Sequence, residues 1–176
     1  IQNKDWQWSL SLNYSYNKNK IKKISNALKE QNEQNQKKGG IVPLPIYEEG
    51  QSLTAIKVVP SAGIDPVTGN EIFIKRDGSY TMTYDANDKV IFGDSTPFGI
   101  GSLSSYLTYK QFSLGTSFRY SFGGSIYNQT LATKVEGSDP RYNADERVFN
   151  DRWKQPGDIA KYKKISDSSV PQQTSR

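Results

Sequence analysis

The stretch DWQWSLSLNYSYNK, residues 5–18, decides the fold class of this chain. Large apolar or aromatic side chains alternate in it with Gln, Ser and Asn, and successive side chains of a β-strand point to opposite faces. The stretch therefore predicts one amphipathic strand over residues 6–17. The polar face of this strand includes Asn13 and Ser15. Its apolar face consists of Trp6, Trp8, Leu10, Leu12, Tyr14 and Tyr16.

The order of side chains on that apolar face indicates which environment it meets. The cores of water-soluble sandwiches favour Val, Ile and Leu, whereas this row has Trp at one end and Tyr at the other. Strands of outer-membrane barrels are about 9–11 residues long and carry aromatic rings where the membrane meets water. Residues 6–17 are therefore predicted to cross an outer membrane.

Two further strands are predicted at residues 101–109 and 112–122, and Tyr106 makes the first of them the less regular. Only Lys110 and Gln111 separate them, which predicts an antiparallel hairpin. An Arg facing lipid at mid-membrane costs about 2–4 kcal/mol, so Arg119 is expected to face the barrel lumen. Ser117 and Ser121 share that predicted lumen face with Arg119, Asn13 and Ser15. The predicted membrane-facing residues of the last strand are Phe112, Leu114, Phe118, Tyr120 and Phe122.

Long polar segments separate these strands. Outer-membrane barrels have short periplasmic turns and long outer loops, so residues 18–97 and 123–176 are predicted to be extracellular. Within the first loop we expect one helix at residues 26–31, an edge strand within residues 52–59, and a hairpin. Three strands cannot close a barrel, which needs about eight. The predicted fold is all-β, a fragment of a large antiparallel transmembrane β-barrel with long extracellular loops. The predicted hairpin joins residues 71–75 to residues 79–84.

The composition argues against an enzyme. The chain of 176 residues has no His and no Cys, which excludes Ser-His-Asp and Cys-His catalysis and the usual imidazole and thiolate metal ligands. Asp85, Asn87 and Asp88 resemble the opening of a calcium loop, but Val90 and Thr96 stand where that loop needs Gly and Glu, so an Asx turn is predicted. We predict no metal site and no cofactor. The net charge of +5 is spread over loop segments without a nucleic-acid motif, so no nucleic-acid partner is expected.

Four motifs carry a resemblance to a known family. GIDPVTGNEIF (63–73), DGSYTMTYDANDKVIFGDSTP (77–97), SYLTYKQFSLGTSFRYSFGGSIYN (105–128) and DRWKQPGD (151–158) resemble, in order and spacing, the C-terminal third of SusC/RagA-like TonB-dependent outer-membrane transporters. One departure is Phe98, which follows Pro97 directly where the family usually has a basic residue. No segment resembles the family's plug domain.

The resemblance implies a plugged barrel of about 22 strands in the outer membrane of a Gram-negative bacterium. It also implies import of oligosaccharides or oligopeptides. The implied partners are a SusD-like surface lipoprotein, the TonB complex, the outer-membrane lipid and the imported ligand. The family contacts the TonB complex through its N-terminal part.

Two interpretations stay open for the loop aromatics and for the whole chain. Trp153, Tyr142 and Phe149 are candidates for binding a ligand or a lid protein, or they form a small core inside the second loop. The alternative to a barrel is a soluble surface β-sandwich that binds glycans. Such a sandwich needs about seven short strands, and the pattern predicts three clean ones.

Four lysines directly follow the first predicted strand: Lys18, Lys20, Lys22 and Lys23. Placed just above a membrane surface, they would attract anionic lipid headgroups. A solvated extension of the strand is the other interpretation.

Overall fold

The computed structural model describes residues 1–2, 4–38, 40, 42–139, 141–165 and 172–175. Within these ranges, no helix combines the length and the apolar character that a membrane crossing requires. The helices are α1 (Asn26–Lys37), α2 (Gln129–Leu131), which continues into a π-helical turn at Ala132–Glu136, and α3 (Arg147–Asn150). The strands are β1 (Trp6–Tyr16), β2 (Ala55–Val58), β3 (Ser61–Ile64), β4 (Glu71–Ile74), β5 (Tyr80–Thr81), β6 (Val90–Asp94), β7 (Gly99–Tyr109) and β8 (Phe112–Phe122).

The three longest strands, each of eleven residues, form one antiparallel sheet in the order β1-β7-β8. The pairing is continuous, from Trp6 opposite Tyr109 to Tyr16 opposite Gly99. β1 ends one residue before the predicted end at 17, and β7 begins two residues before the predicted start at 101. β7 is longer because Gly99 and Ile100 pair with both neighbouring strands, a long-range contact that the local pattern does not reveal.

One face of this sheet is apolar and exposed along most of its length. Leu12, Leu114 and Phe118 are exposed by 66%, 62% and 61%. A β-sandwich would cover such a row with a second sheet, and none of the described residues does so. A contiguous apolar surface of this kind requires another apolar phase or partner to cover it.

Aromatic rings cross the small residues of the central strand. Tyr120 lies over Gly101 and donates a hydrogen bond from its hydroxyl to the backbone oxygen of Asn13, at 2.9 Å. A Cβ at Gly101 would collide with the Tyr120 hydroxyl oxygen, so only glycine allows this crossing. The tyrosine therefore joins the two outer strands of the sheet across the middle one.

The β7–β8 turn contains a strained residue that suggests a stabilising substitution. Lys110 has φ of 52°, in the left-handed region that is unfavourable for a residue with a Cβ. We expect Lys110→Gly to stabilise the barrel by up to about 1 kcal/mol, because glycine adopts this conformation without strain. The Lys110 Nζ lies 5.3 Å from the Tyr109 ring centroid, so the glycine variant also loses a cation–π contact. Urea unfolding of the full-length protein measures the net change in stability from the relieved strain and the lost contact. Lys110→Ala is the matched control, because it loses the same contact but keeps the strain.

The loops form a separate folded unit, which we call the loop unit (residues 17–98 and 123–175, as far as they are described). It contains one two-stranded sheet, β2-β6, and one three-stranded sheet, β3-β4-β5. The edge strand predicted within residues 52–59 is present as β2, which has only four residues. The predicted hairpin is present as the short strands β4 and β5. The sequence pattern did not predict β3 and β6. The predicted helix at 26–31 extends to Lys37.

The helix α1 docks through polar side chains. Asn32 donates to the Tyr47 backbone oxygen and accepts from the Tyr47 backbone nitrogen, at 2.5 and 2.9 Å. Asn35 donates to the Pro45 backbone oxygen at 2.9 Å. Because both amides are buried, α1 has a packing face without an apolar stripe, and its polar residues show no periodicity that would reveal this face.

Candidate functional site

The polar face of the three-stranded sheet brings the predicted lumen residues together. Asn13 lies opposite Ser102, and Ser102 opposite Arg119, so these three form one row across the sheet. Asn13 Nδ2 lies 3.4 Å from Ser102 Oγ. In a neighbouring row the hydroxyls of Ser104 and Ser117 lie 3.1 Å apart. Small hydroxyl side chains thus leave the amide and the guanidinium as the longest polar groups of these rows.

The rows nearest the loops form a shallow depression of about 580 Å³, lined in part by Asn13, Ser15, Arg119 and Ser121. Ser117 lies one polar row further from the loops, outside that depression. Arg119 is exposed, and no carboxylate of the described residues lies within 4 Å of its guanidinium. Planar guanidinium donors that are not already paired suit a carboxylate or a carbonyl oxygen of a ligand.

Trp153 lies away from this face, inside the loop unit. Its indole covers Gly69, where a Cβ would collide with the ring, and its Nε1 donates to the Pro66 backbone oxygen at 2.9 Å. The backbone nitrogens of Gly157 and Lys164 donate to the oxygens of Pro66 and Gly69 at 2.8 and 2.9 Å. This contact favours the core interpretation for Trp153.

The other two loop aromatics keep exposed surface. Tyr142 is exposed by 73% and Phe149 by 49%. The buried cluster of the second loop is formed instead by Val135, Val148 and Tyr162. Tyr142 and Phe149 therefore remain available to a ligand or a partner.

Arg152, which no sequence pattern indicated as a functional or structural residue, is buried in the second loop. Its guanidinium donates to the backbone oxygens of Val148, Lys163 and Glu136 at 3.1, 2.9 and 3.2 Å, and also to that of Val135. One side chain thereby satisfies carbonyl groups from three successive parts of the loop. The signal in the sequence was its place beside Trp153 in the DRWKQPGD motif.

The acidic side chains of the loops have structural partners. The Asp85 carboxylate accepts from the Asn87 backbone nitrogen at 2.8 Å, which confirms the predicted Asx turn. Hydrogen bonds from Arg141 and Arg147 lower the pKa of Asp139 and of Asp145, each to about 2. In the described part of the chain, no group of three or more acidic side chains could hold a metal ion.

The phenol of Tyr127 is the most perturbed tyrosine of the second loop. Burial raises its pKa to about 12, and the nearby Glu136 carboxylate adds to the shift. Burial thus favours the neutral phenol of Tyr127, which fits a packing role in the loop unit.

Comparisons with known proteins point in one direction. No protein-family model matches the chain. The TonB-dependent receptor P39 of Formosa agariphila is 29% identical over 100 residues, which cover 57% of this chain and 10% of that relative. The solved RagAB peptide transporter is 26% identical and has a TM-score of 0.72, with 94% of this chain and 18% of that chain covered. The RagAB peptide importer in its closed-closed state, also 26% identical, gives a TM-score of 0.66 over 90% of this chain and 18% of that chain.

In both sequence and fold, the chain resembles a segment of a SusC/RagA-like TonB-dependent transporter. The predicted resemblance and fold class are confirmed, and the three-stranded antiparallel sheet matches the barrel fold of these structures. The transporter segment spans less than a fifth of the length of each of these three relatives. In this SusC/RagA-like segment, the polar row of Asn13, Ser102 and Arg119 and the exposed loop aromatics are the candidate ligand-contacting groups.

Proposed function

We propose that the protein containing this chain imports nutrients across the outer membrane, and that this segment supplies barrel wall and extracellular loops. The carrying observation is the sheet β1-β7-β8, whose apolar face is exposed and whose opposite face carries hydroxyl, amide and guanidinium groups. In a barrel wall the first face meets lipid and the second meets the water-filled lumen. The complete apolar face consists of Trp6, Trp8, Leu10, Leu12, Tyr14 and Tyr16 of β1 and Phe112, Leu114, Phe118, Tyr120 and Phe122 of β8, with the alternate residues of β7 between them.

The length of the apolar face supports this orientation. Aromatic rows lie at its two ends: Trp6 beside Tyr109 and Phe112 at the hairpin end, and Tyr16 and Phe122 at the loop end. The two rows lie ten positions apart, about 34 Å along a strand. With the usual barrel tilt of about 40°, this distance spans about 26 Å of membrane thickness, close to the apolar band of outer-membrane barrels.

The imported ligand is proposed from the relatives. Two solved structures similar to this chain are called a peptide transporter and a peptide importer, which favours an oligopeptide. Arg119 suits such a ligand, because its guanidinium can bind a peptide carboxylate or carbonyl. An oligosaccharide is the second candidate, since the hydroxyl and amide groups of Ser121 and Asn13 also match sugar hydroxyls. We further propose a SusD-like lipoprotein over the loops and energy supplied through TonB.

Two adjacent residues of β8 test the orientation at one membrane depth. In the full-length transporter, which we place in the outer membrane of whole cells, we expect Arg119→Cys to react with a small charged maleimide and Phe118→Cys to resist it. A thiol in water ionises and reacts, whereas a thiol in lipid does not. This chain has no cysteine, so its own background is zero.

Leu12→Cys and Asn13→Cys on β1 repeat the comparison on a second strand, at the same row as Phe118 and Arg119. Unfolding in detergent and urea must make all four thiols reactive, which controls for the chemistry. Faster labelling of Phe118→Cys and Leu12→Cys than of their neighbours in the folded protein would refute the proposed orientation.

A further inference from the structure

The alternation of β1 continues past the end of the strand. Asn17 still donates from its backbone nitrogen to the Phe98 oxygen at 2.9 Å. Lys18, Lys20 and Lys22 occupy the even positions that carry the apolar face in β1, and all three are exposed. Along the sequence, the even-numbered apolar row of β1 is therefore followed directly by three exposed cations.

The odd positions of the same segment are held by the loop unit. The Asn19 side-chain oxygen accepts from Ser52 Oγ at 3.0 Å and from the Leu53 backbone nitrogen at 2.9 Å. The backbone of Ile21 exchanges hydrogen bonds with Gln51 and Gly50, each at 2.8 Å. These contacts fix the segment in place and leave Lys18, Lys20 and Lys22 exposed.

The two carboxylates that precede the Gly50–Gln51 pairing partners of Ile21 are engaged elsewhere. Glu48 forms an ion pair with Lys57 at 2.5 Å. Glu49 accepts a hydrogen bond from the Ile24 backbone nitrogen at 3.2 Å. No ion pair of Lys18, Lys20 or Lys22 occurs among the described residues, so their charges are available to an external anion.

An aromatic layer separates these lysines from the aliphatic part of the face. The rings of Tyr16 and Phe98 lie 6.0 Å apart at the loop end of the sheet, and those of Tyr120 and Phe122 lie 5.5 Å apart. Moving along β1 toward the loops, the outer side therefore changes from leucine to aromatic to cation. That is the order in which a membrane protein meets acyl chains, the interface and the headgroups.

We propose that Lys18, Lys20 and Lys22 form a cationic strip that binds the phosphate groups of anionic lipids in the leaflet at the loop end of the barrel. This inference rests on the proposed function, because it requires the apolar face to meet lipid. At about 3.3 Å of rise per residue, and with the same tilt, the three lysines stand at three heights, about 5 Å apart. The strip is therefore suited to lipids whose phosphates lie at more than one depth.

Binding of phosphatidic acid to the purified full-length transporter in detergent, followed by native mass spectrometry, tests the strip. The triple variant Lys18→Gln, Lys20→Gln, Lys22→Gln should bind this lipid at least about tenfold more weakly, since one lysine near a charged surface is worth about fivefold. The matched control is Lys29→Gln, Lys37→Gln, Lys38→Gln, which removes three exposed charges from α1 and the residue that caps it. This control should bind as the unmodified protein does, and phosphatidylcholine should bind all three proteins equally.

Equal weakening in both triple variants, or no weakening in the first, would overturn the inference. Displacement of phosphatidic acid by inorganic phosphate would also overturn it, because the strip would then be a general anion site. The cysteine comparison on β8 is independent of these lysines. Reversed labelling there would reject the proposed function, whereas expected labelling with unchanged lipid binding would reject the strip alone.

Discussion

Replacing Leu10 by arginine is expected to destabilise the assembled barrel by about 2–4 kcal/mol. Leu10 lies one residue from the middle of the eleven-residue β1, on the face that we assign to lipid, and is exposed by 57%. A guanidinium near the middle of the bilayer loses its hydration, and its cost falls to about 0–1 kcal/mol only near the interfaces. Urea unfolding of the full-length protein in lipid vesicles measures this loss.

Ser11→Arg is the matched control for that variant, because it adds the same side chain at nearly the same depth on the polar face. Ser11 lies in the row of Ser104 and Ser117, where an arginine remains in water. We expect Ser11→Arg to unfold like the unmodified protein, and Leu114→Arg to follow Leu10→Arg with a smaller loss because it lies nearer the hairpin end. Similar losses from Leu10→Arg and Ser11→Arg would contradict the assignment of the two faces.

Arg152→Leu is expected to lower the local stability of the second loop by about 3 kcal/mol or more. Arg152 is 5% exposed, and its guanidinium donates to four backbone oxygens, of Val135, Glu136, Val148 and Lys163. Hydrogen bonds to a charged group contribute about 1.5–3 kcal/mol each, and a buried carbonyl left without its donor adds a desolvation cost. Hydrogen exchange of the amides between residues 131 and 165 measures the loss in the intact transporter.

Arg147→Leu separates this effect from the loss of a positive charge. The Arg147 side chain is half exposed, and its ion pair with Asp145, at 2.8 Å, lies at the surface. Surface pairs contribute little, so we expect exchange rates close to those of the unmodified protein. Arg152→Lys should recover only part of the protection, because an ammonium cannot reach the carbonyls that the planar guanidinium joins. Equal deprotection by the two leucine variants would show that charge, rather than the carbonyl network, stabilises the loop.

The sequence carried most of the information about the barrel wall. Successive side chains of a β-strand point to opposite faces, so a wall with two different surroundings imposes a period of two that Trp6–Tyr16 and Phe112–Phe122 follow closely. β7 follows it less well because Gly99 and Gly101 make room there for the rings of Tyr14 and Tyr120 from the neighbouring strands. The period therefore predicted the face on which Asn13, Ser117 and Arg119 lie, but it does not predict the ligand of that face.

The structure of the loop unit could not be predicted from sequence periodicity, because its stabilising contacts follow no periodic pattern. α1 is fixed by the Asn32 and Asn35 amides, and the two loops meet where Trp153 covers Gly69. Those residues are distant in sequence and have no repeating pattern. Arg152 is a further case, since a charged side chain is expected at the surface unless its partners are known.

The contacts within the first loop also bear on the rate at which β1 and β7 pair during folding. β7 and β8 are joined by two residues, whereas the whole segment 17–98 separates β1 from β7. Closing so long a flexible chain costs about 3 kcal/mol more in entropy than closing a tight turn. The ends of the segment are joined by the hydrogen bond from the Asn17 backbone nitrogen to the Phe98 oxygen, at 2.9 Å, and the bond from Ser95 to Thr54, at 3.0 Å, ties its last part to its middle. If the loop folds before the strands pair, it acts as a preformed turn. β1 and β7 would then pair at a rate typical of strands joined by a short turn.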